Sequence, residues 1–253
     1  MDPVIVRNVK IGEGMPKICV PVMGKVKDEI MDAARAVCSS PADIVEWRAD
    51  WFEDIFEIEK AVEVAAELRD TLGEIPILFT FRTAKEGGER DVDTDTYVML
   101  NQAMARSGYV DLVDVELFTG AELVDEIIGT AHSCGVKVIA SNHDFHKTPE
   151  QAEIVSRLCL MQKVGADIPK IAVMPQNERD VLTLLAATEE MARVYADRPI
   201  ITMSMAGTGA ISRLSGEIFG SALTFGTAGK ASAPGQIDAN ELKTILEILH
   251  YNL

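Results

Sequence analysis

The chain alternates short, nearly continuous apolar runs with longer stretches whose apolar residues recur at helical spacing. The short runs are KICVPV (Lys17–Val22), DIVEWR (Asp43–Arg48), ILFTFR (Ile77–Arg82) and LVDVEL (Leu112–Leu117). VKVIASN (Val136–Asn142), IPKIAVM (Ile168–Met174), IITMSM (Ile200–Met205) and ALTFG (Ala222–Gly226) complete the series. Their Val and Ile content suits parallel strands covered on both faces. The intervening segments carry helix signals. Thr148-Pro149 with Gln151 reads as an N-cap, a first-turn proline and a capping box, ended by Gly165. Asn177 caps a helix bearing Val181, Leu184 and Leu185, which stops before Pro199. Leu242, Ile245, Leu246 and Leu249 form one helical face behind the cap pair Asp238 and Glu241. Between Gly207 and Gly220 the helical pattern is short and rich in Gly and Ser.

Eight strands each followed by a helix, with no linker between halves, predict an α/β fold: a single (β/α)8 TIM barrel spanning 1–253 as one domain. An open doubly wound sheet is the alternative, and it would leave edge strands to protect. The opening VIVRNVKIGEG is expected to form a β-hairpin closing one end of the barrel.

Composition narrows the function classes. Of 253 residues, 24 are Lys or Arg and 40 are Asp or Glu, a formal charge of −16, which argues against a phosphate-backbone ligand. Hydrophobic residues at 47% and charged residues at 25% are ordinary for a globular chain. No apolar run approaches the roughly 18 residues of a membrane span. MDPVIVRNVK carries no secretory pattern, so a cytoplasmic location is expected. Cys19, Cys38, Cys134 and Cys159 are widely spaced and are expected to be buried, reduced thiols, none a nucleophile.

In a barrel of this kind chemistry sits at the carboxyl ends of the strands. The second barrel strand ends Glu46-Trp47-Arg48, placing Glu46 and Arg48 on one face, alternatively only as a bracing ion pair. The third runs from Arg82 into KEGGE, with Glu86 and flexible glycines; the fifth ends Ser141-Asn142-His143-Asp144. Lys170 interrupts the apolar IPKIAVM, and a lysine inside a buried strand must be paired, neutralised or functional. Arg213 follows ITMSM, whose methionines read as wall or core. His143 by itself could be only a hydrogen-bonded loop residue. Gly207-Thr208-Gly209 lacks the third small residue of a dinucleotide fingerprint, and the GTAGK run at 226–230 lacks Walker spacing. The HDFH pair, His143 and His146, has no third metal ligand, so no metal is expected.

A desolvated lysine near Arg48, Arg82 and Arg213 would have its ammonium form disfavoured by burial and like charge. The neutral amine attacks a ketone to give an imine, which acidifies the adjacent C–H. A histidine in reach can take that proton and return it to a leaving hydroxyl, while arginine seats a carboxylate. These residues describe imine-assisted proton abstraction from an anionic keto compound and leave dehydration and aldol cleavage undistinguished.

The fragments IGEGMPKI, DIVEWRAD, LFTFRTAKEGGE, VDVELFTG, SNHDFHKTP, ADIPKIAVMP, ITMSMAGTGAISR and ASAPGQI, in this order, resemble the type I, Schiff-base 3-dehydroquinate dehydratases from Val4 to His250. The resemblance implies a cofactor-independent hydro-lyase of the shikimate pathway, commonly dimeric, converting 3-dehydroquinate to 3-dehydroshikimate by syn loss of water. It implies Lys170 as the imine lysine, His143 as general base and then acid, and Glu86 as its assistant. Glu46, Arg48 and Arg82 would hold ring hydroxyls and Arg213 the carboxylate; Ser232 and Gln236 would lie on a closing loop. Some relatives carry Ser where this chain has Pro21, so one hydroxyl contact is expected to be absent, with a modest effect on binding. A lysine-imine aldolase would instead want a phosphate seat after the last two strands, and EWR, KEGGE and SAPGQ argue against it. A non-catalytic barrel would be expected to lack Lys170 or His143. The small-molecule substrate would be the only partner besides a second copy of the chain, with neither nucleic acid nor membrane involved.

Overall fold

The computed structural model describes residues 2–229 and 235–253. It opens on an antiparallel hairpin of β1 (Val4–Val6) and β2 (Val9–Ile11), with Val6 opposite Val9. The barrel strands follow: β3 (Lys17–Val22), β4 (Ile44–Arg48), β5 (Ile77–Thr80), β6 (Leu112–Glu116), β7 (Lys137–Asp144), β8 (Ile168–Val173), β9 (Ile201–Ser204) and β10 (Leu223–Thr227). From β3 to β9 each pairs in parallel with the next, and β10 pairs with β3. A parallel bridge between Ile200 and Ser221, with Ala222 N–H donating to the Ile200 carbonyl at 2.8 Å, closes β9 onto β10. The sheet is therefore a closed barrel rather than the open alternative. A two-residue strand β11 (Ile237–Asp238) adds to β10 at the rim.

Helices α1 (Lys27–Val37), α2 (Ile58–Leu72), α3 (Thr94–Ser107), α4 (Ala121–Ser133), α5 (Gln151–Lys163) and α6 (Glu178–Glu190) alternate with the strands. After β9 come two short turns, α7 (Ala210–Leu214) and α8 (Gly216–Phe219), as the Gly- and Ser-rich sequence there suggests; α9 (Ala239–His250) ends the fold. Asn177 caps α6 by accepting from the backbone of Arg179 and Asp180, and Asp238 caps α9 through Asn240. The cap expected at Thr148 is displaced. Its hydroxyl donates to the Met174 carbonyl at 3.2 Å, and α5 begins three residues later, at Gln151. The thiols also differ from expectation: Cys19 is buried, but Cys38 and Cys134, just past the ends of α1 and α4, are exposed.

Strand period sorts the barrel interior into layers. Cys19, Ile44, Leu78, Leu112, Ile139, Ile168, Ile201 and Leu223 form an apolar first layer. Val6 and Ile11 of the hairpin join that cluster, so the hairpin plugs the amino-terminal mouth. Its two-residue turn puts Arg7 at φ 52°, a conformation anchored by Arg7 Nε donating to Asp111 at 2.6 Å. The opposite strand faces, including Trp47 and Phe79 with ring centroids 5.5 Å apart, pack under the helices. The apolar layer and its plug leave only the carboxyl mouth for polar chemistry. Two residues further along β4 to β8, and four further along β4 to β7, the same inward positions become polar, while β9 and β10 continue apolar through Met203, Met205 and Phe225.

Candidate active site

The second interior layer contains Glu46, Thr80, Asp114, Ser141 and Lys170; the third contains Arg48, Arg82, Glu116 and His143. Above the apolar floor a cavity of about 160 Å³ opens at the carboxyl mouth. Lys170, His143, Glu86, Glu46, Arg48, Arg82, Arg213 and Gln236 all line it, with Phe145, Met203, Met205 and Phe225 as apolar wall. Every site residue named from the sequence is thus gathered there except Ser232, which lies outside the described residues. Pro21 is fifth of six residues in β3, opposite Glu46 in the register, and faces a neighbouring cavity with Met23 and Trp51.

Lys170 is 3% exposed, and its position in the middle of β8 fixes its direction. Its Nζ donates to Asp114 Oδ2 at 2.9 Å, lies 3.9 Å from Glu46 Oε1, and sits 4.8 Å from the Phe225 ring centroid. The surroundings are therefore not the purely cationic ones the sequence suggested. Two carboxylates face the amine, and the arginines beyond them are themselves paired.

His143 occupies the same inward face of β7 as Ser141. Its Nδ1 lies 2.9 Å from Glu86 Oε2, which also accepts the His143 backbone N–H at 2.9 Å, while Asn142 Nδ2 donates to Glu86 Oε1 at 3.1 Å. Burial pushes the imidazole well below its usual pKa, and the Arg82 and Lys170 charges push the same way, so the neutral ring is favoured. Burial also pushes the Glu86 carboxyl up to about 7, with Glu116 adding to the rise and Arg82 opposing it. The loop bearing Glu86 can form only with glycine behind it. A Cβ on Gly88 would lie 1.8 Å from the Arg82 carbonyl oxygen, and Gly87 has φ +85° with its Cβ position 2.3 Å from Phe145.

The arginines divide by partner. Arg48 makes a two-pronged pair with Asp50, both contacts 2.8 Å. Burial opposes that charge, but Asp50 outweighs it and holds Arg48 above its ordinary pKa. Asp50 also accepts from the backbone of Glu89 at 3.1 Å, tying this pair to the Glu86 loop. Arg82 joins Asp114 at 2.8 Å, Glu116 at 3.0 Å and Ser141 at 3.0 Å. Arg213 lies against the Met203 sulfur at 3.8 Å, and burial lowers its pKa to about 10, still a cation at neutral pH. Thr80 donates to Glu46 at 3.0 Å.

Sequence reasoning passed over Asp114, Glu116, Asp50 and Ser141. For the first two the signal was present: LVDVEL places Asp114 and Glu116 at i and i+2 of a buried strand, the pattern that marked Glu46 and Arg48. Among the described residues no group of three His, Cys, Asp or Glu side chains is disposed to hold a metal ion, and no helix is long and apolar enough to cross a membrane. What the geometry brings together is a buried lysine amine, a histidine with a carboxylate behind it, and arginines mostly paired with carboxylates, all around one small cavity.

Comparison with known proteins agrees with this chemistry. The chain is 58% identical over 248 residues to a 3-dehydroquinate dehydratase of Clostridioides difficile (strain 630), covering 98% of this chain and 97% of that protein. It is 56% identical over 250 residues to the 3-dehydroquinate dehydratase of Escherichia coli (strain 55989), covering 99% of each. The crystal structure of type I 3-dehydroquinate dehydratase from Clostridium difficile, with covalently modified comenic acid, superposes with a TM-score of 0.98 at 57% identity over 100% of both chains. The model of the type I 3-dehydroquinase family matches residues 18–252, and the chain belongs to that family.

Proposed function

We propose that the chain is a 3-dehydroquinate dehydratase, a hydro-lyase that forms 3-dehydroshikimate through a lysine imine, with residues 1–253 acting as one catalytic domain. The observation that carries this reading is the placement of Lys170 and the His143–Glu86 pair on the inward faces around one buried cavity. Lys170 adds to the C3 ketone, and water leaves to give a protonated imine. His143 takes a proton from C2, and the C–H electron pair becomes the C2=C3 bond of an enamine. That enamine expels the C1 hydroxyl, to which His143 returns the proton, leaving a C1=C2 bond conjugated to the imine. Hydrolysis then frees Lys170 and the enone.

Glu86 holds the imidazole by Nδ1, so the other ring nitrogen is left for C2. Arg213, cationic and buried, is the seat for the substrate carboxylate. Glu46, Arg48 and Arg82 take ring hydroxyls, and Gln236, on the cavity wall, contacts the bound ring; Ser232, outside the described residues, is proposed to act with it in excluding water. We further infer a cytoplasmic homodimer that needs neither metal nor cofactor and binds neither nucleic acid nor membrane. Incubation with 3-dehydroquinate and borohydride is expected to leave a stable mass on Lys170. No adduct, or one on another lysine, overturns the imine assignment.

A further inference from the structure

One buried charge has no part in the steps above. Asp114, on β6, is 1% exposed and lies at the centre of the polar layers. Its Oδ2 accepts from Lys170 Nζ at 2.9 Å. Its Oδ1 accepts from Arg82 Nη2 at 2.8 Å and from the Ser141 hydroxyl at 2.5 Å. Three donors, from β7, β8 and the turn after β5, thus fix both carboxylate oxygens, and Oδ2 is reserved for the Lys170 nitrogen. Buried carboxylates are retained only with such partners.

We propose that Asp114 is a further catalytic residue of this site: its carboxylate fixes the Lys170 amine for attack and remains ionised beside the nitrogen as it becomes an iminium cation. The inference rests on the imine chemistry proposed above. Starting from the ammonium, one nitrogen proton stays on the iminium and two leave with the ketone oxygen as water. The C–N bond forms first, giving a carbinolamine, and its C–O bond then breaks as water leaves, so the charge on nitrogen is the same at the two ends. Between them the nitrogen is neutral in the attacking amine and in the carbinolamine. A carboxylate held 2.9 Å away therefore stabilises the ammonium at one end and the iminium at the other. The iminium is the electron sink on which C2 deprotonation depends, so the carboxylate acts on the step that follows attack. Asp114 does not serve as the base. Burial opposes its charge, but Arg82 and then Lys170 outweigh burial and hold it well below the usual carboxylate range. The other charged or titratable groups facing this cluster are Glu46, Glu116, Glu86 through Arg82, His143, the buried Cys19 thiol and, through its hydroxyl on the Asp114 carbonyl, Tyr97.

This role predicts a split that a merely structural carboxylate would not give. In Asp114→Asn, the amine loses the nearer of its two counter-charges, keeping Glu46 at 3.9 Å, and should become reactive at lower pH, while turnover should fall. Reductive methylation with formaldehyde and cyanoborohydride, read as mass on the Lys170 peptide across pH, is expected to move to lower pH by about 1–3 units. Turnover of 3-dehydroquinate is expected to fall about 10²-fold. Asp114→Ala, which leaves room for water, should move both readouts the same way. Labelling that stays put or moves to higher pH, or turnover kept near wild type, overturns the proposal. Should neither variant fold, carboxylate ¹³C NMR of the wild-type enzyme decides. Asp114 is expected to stay ionised from pH 9 to 5, free and with the borohydride-trapped adduct, and a titration within that range overturns it. Wild-type trapping on Lys170 is independent of these outcomes, so failure of this inference is distinguishable from failure of the imine reading.

Discussion

Replacing Glu86 by Gln should expose a pH dependence of stability that the wild-type enzyme conceals. In the folded wild type the carboxyl of Glu86 is raised to about 7 by burial, and burial pushes His143 well below its usual value. Between about pH 4.5 and 6.5 the folded pair therefore carries one proton, on Glu86. The unfolded chain in that window also carries one, but on the histidine, since Glu ionises near 4.3 and His protonates near 6.5. Stability changes with pH only where the two states bind different numbers of protons, so the pair contributes no slope there. Glutamine cannot take up a proton. In Glu86→Gln the unfolded state then binds one proton more than the folded state between about pH 6.5 and the depressed titration of His143, and stability falls as pH falls through that range. The slope is about 1.4 kcal/mol per pH unit, or about 2 kcal/mol between pH 6.5 and 5.0.

For a chain of this size that is an additional loss of roughly 4–8 °C in melting temperature relative to wild type over the same interval. Calorimetric or fluorescence melts of both proteins in matched buffers give the difference directly, because groups common to both cancel. Above pH 6.5 the sign reverses. Wild type should lose stability as pH rises through about 7, where folded Glu86 releases its proton, and the variant should not. Parallel wild-type and variant curves from pH 5 to 7.5 would refute this assignment of protons. The same proton should appear in turnover as a rise through an apparent value near 7, absent from Glu86→Gln, since the ionised carboxylate is the form that accepts Nδ1–H.

Three further outcomes follow from the site. His143→Ala should still give the borohydride adduct with 3-dehydroquinate while turnover drops by about 10²–10⁴-fold; turnover near wild type would remove His143 from proton transfer. Arg213→Gln should raise KM for the anionic substrate by about 10-fold or more, from loss of a charge-assisted contact, with a smaller change in kcat. An unchanged KM in steady-state assays would place the carboxylate elsewhere. Gly88→Ala should lower stability by about 1–3 kcal/mol and kcat with it, because its Cβ position is 1.8 Å from the Arg82 carbonyl oxygen and the Glu86 loop must move. Denaturant unfolding and steady-state kinetics on one preparation check both effects.

The fold was legible because strand and helix periods are written in side chains that pack locally. The apolar runs located all eight barrel strands, and the hairpin at Val4–Ile11 followed from its place ahead of the first. Thr148 shows where such reading stops. A capping sequence states what a hydroxyl can do, and the nearby Met174 carbonyl, brought there by β8, took it instead. Lys170 and His143 stood out because each broke an apolar pattern. Asp114 and Glu116 broke one too, but an acidic residue in a chain with 40 of them carries little contrast. Asp50 was hidden for another reason: its role exists only once the turn after β4 brings it against Arg48 and the Glu86 loop.

That blindness to carboxylates had a consequence for the chemistry. Counting only cations suggested a Lys170 ammonium disfavoured by burial and by the like charge of Arg48, Arg82 and Arg213. In the folded barrel Arg48 faces Asp50, Arg82 faces Asp114 and Glu116, and Lys170 faces Asp114 and Glu46. A nearly balanced interior suits an imine enzyme better than a positive one. Repulsion strong enough to strip the ammonium would weigh equally on the iminium, whose charge is what acidifies C2. Balanced pairs hold each group in place at modest cost and leave attraction for the substrate anion to the Arg213 side of the cavity, where burial lowers the guanidinium only to about 10. An overall charge of −16 is then compatible with an anionic ligand, because salt screens exposed charges beyond about 8 Å and the last few ångströms decide binding.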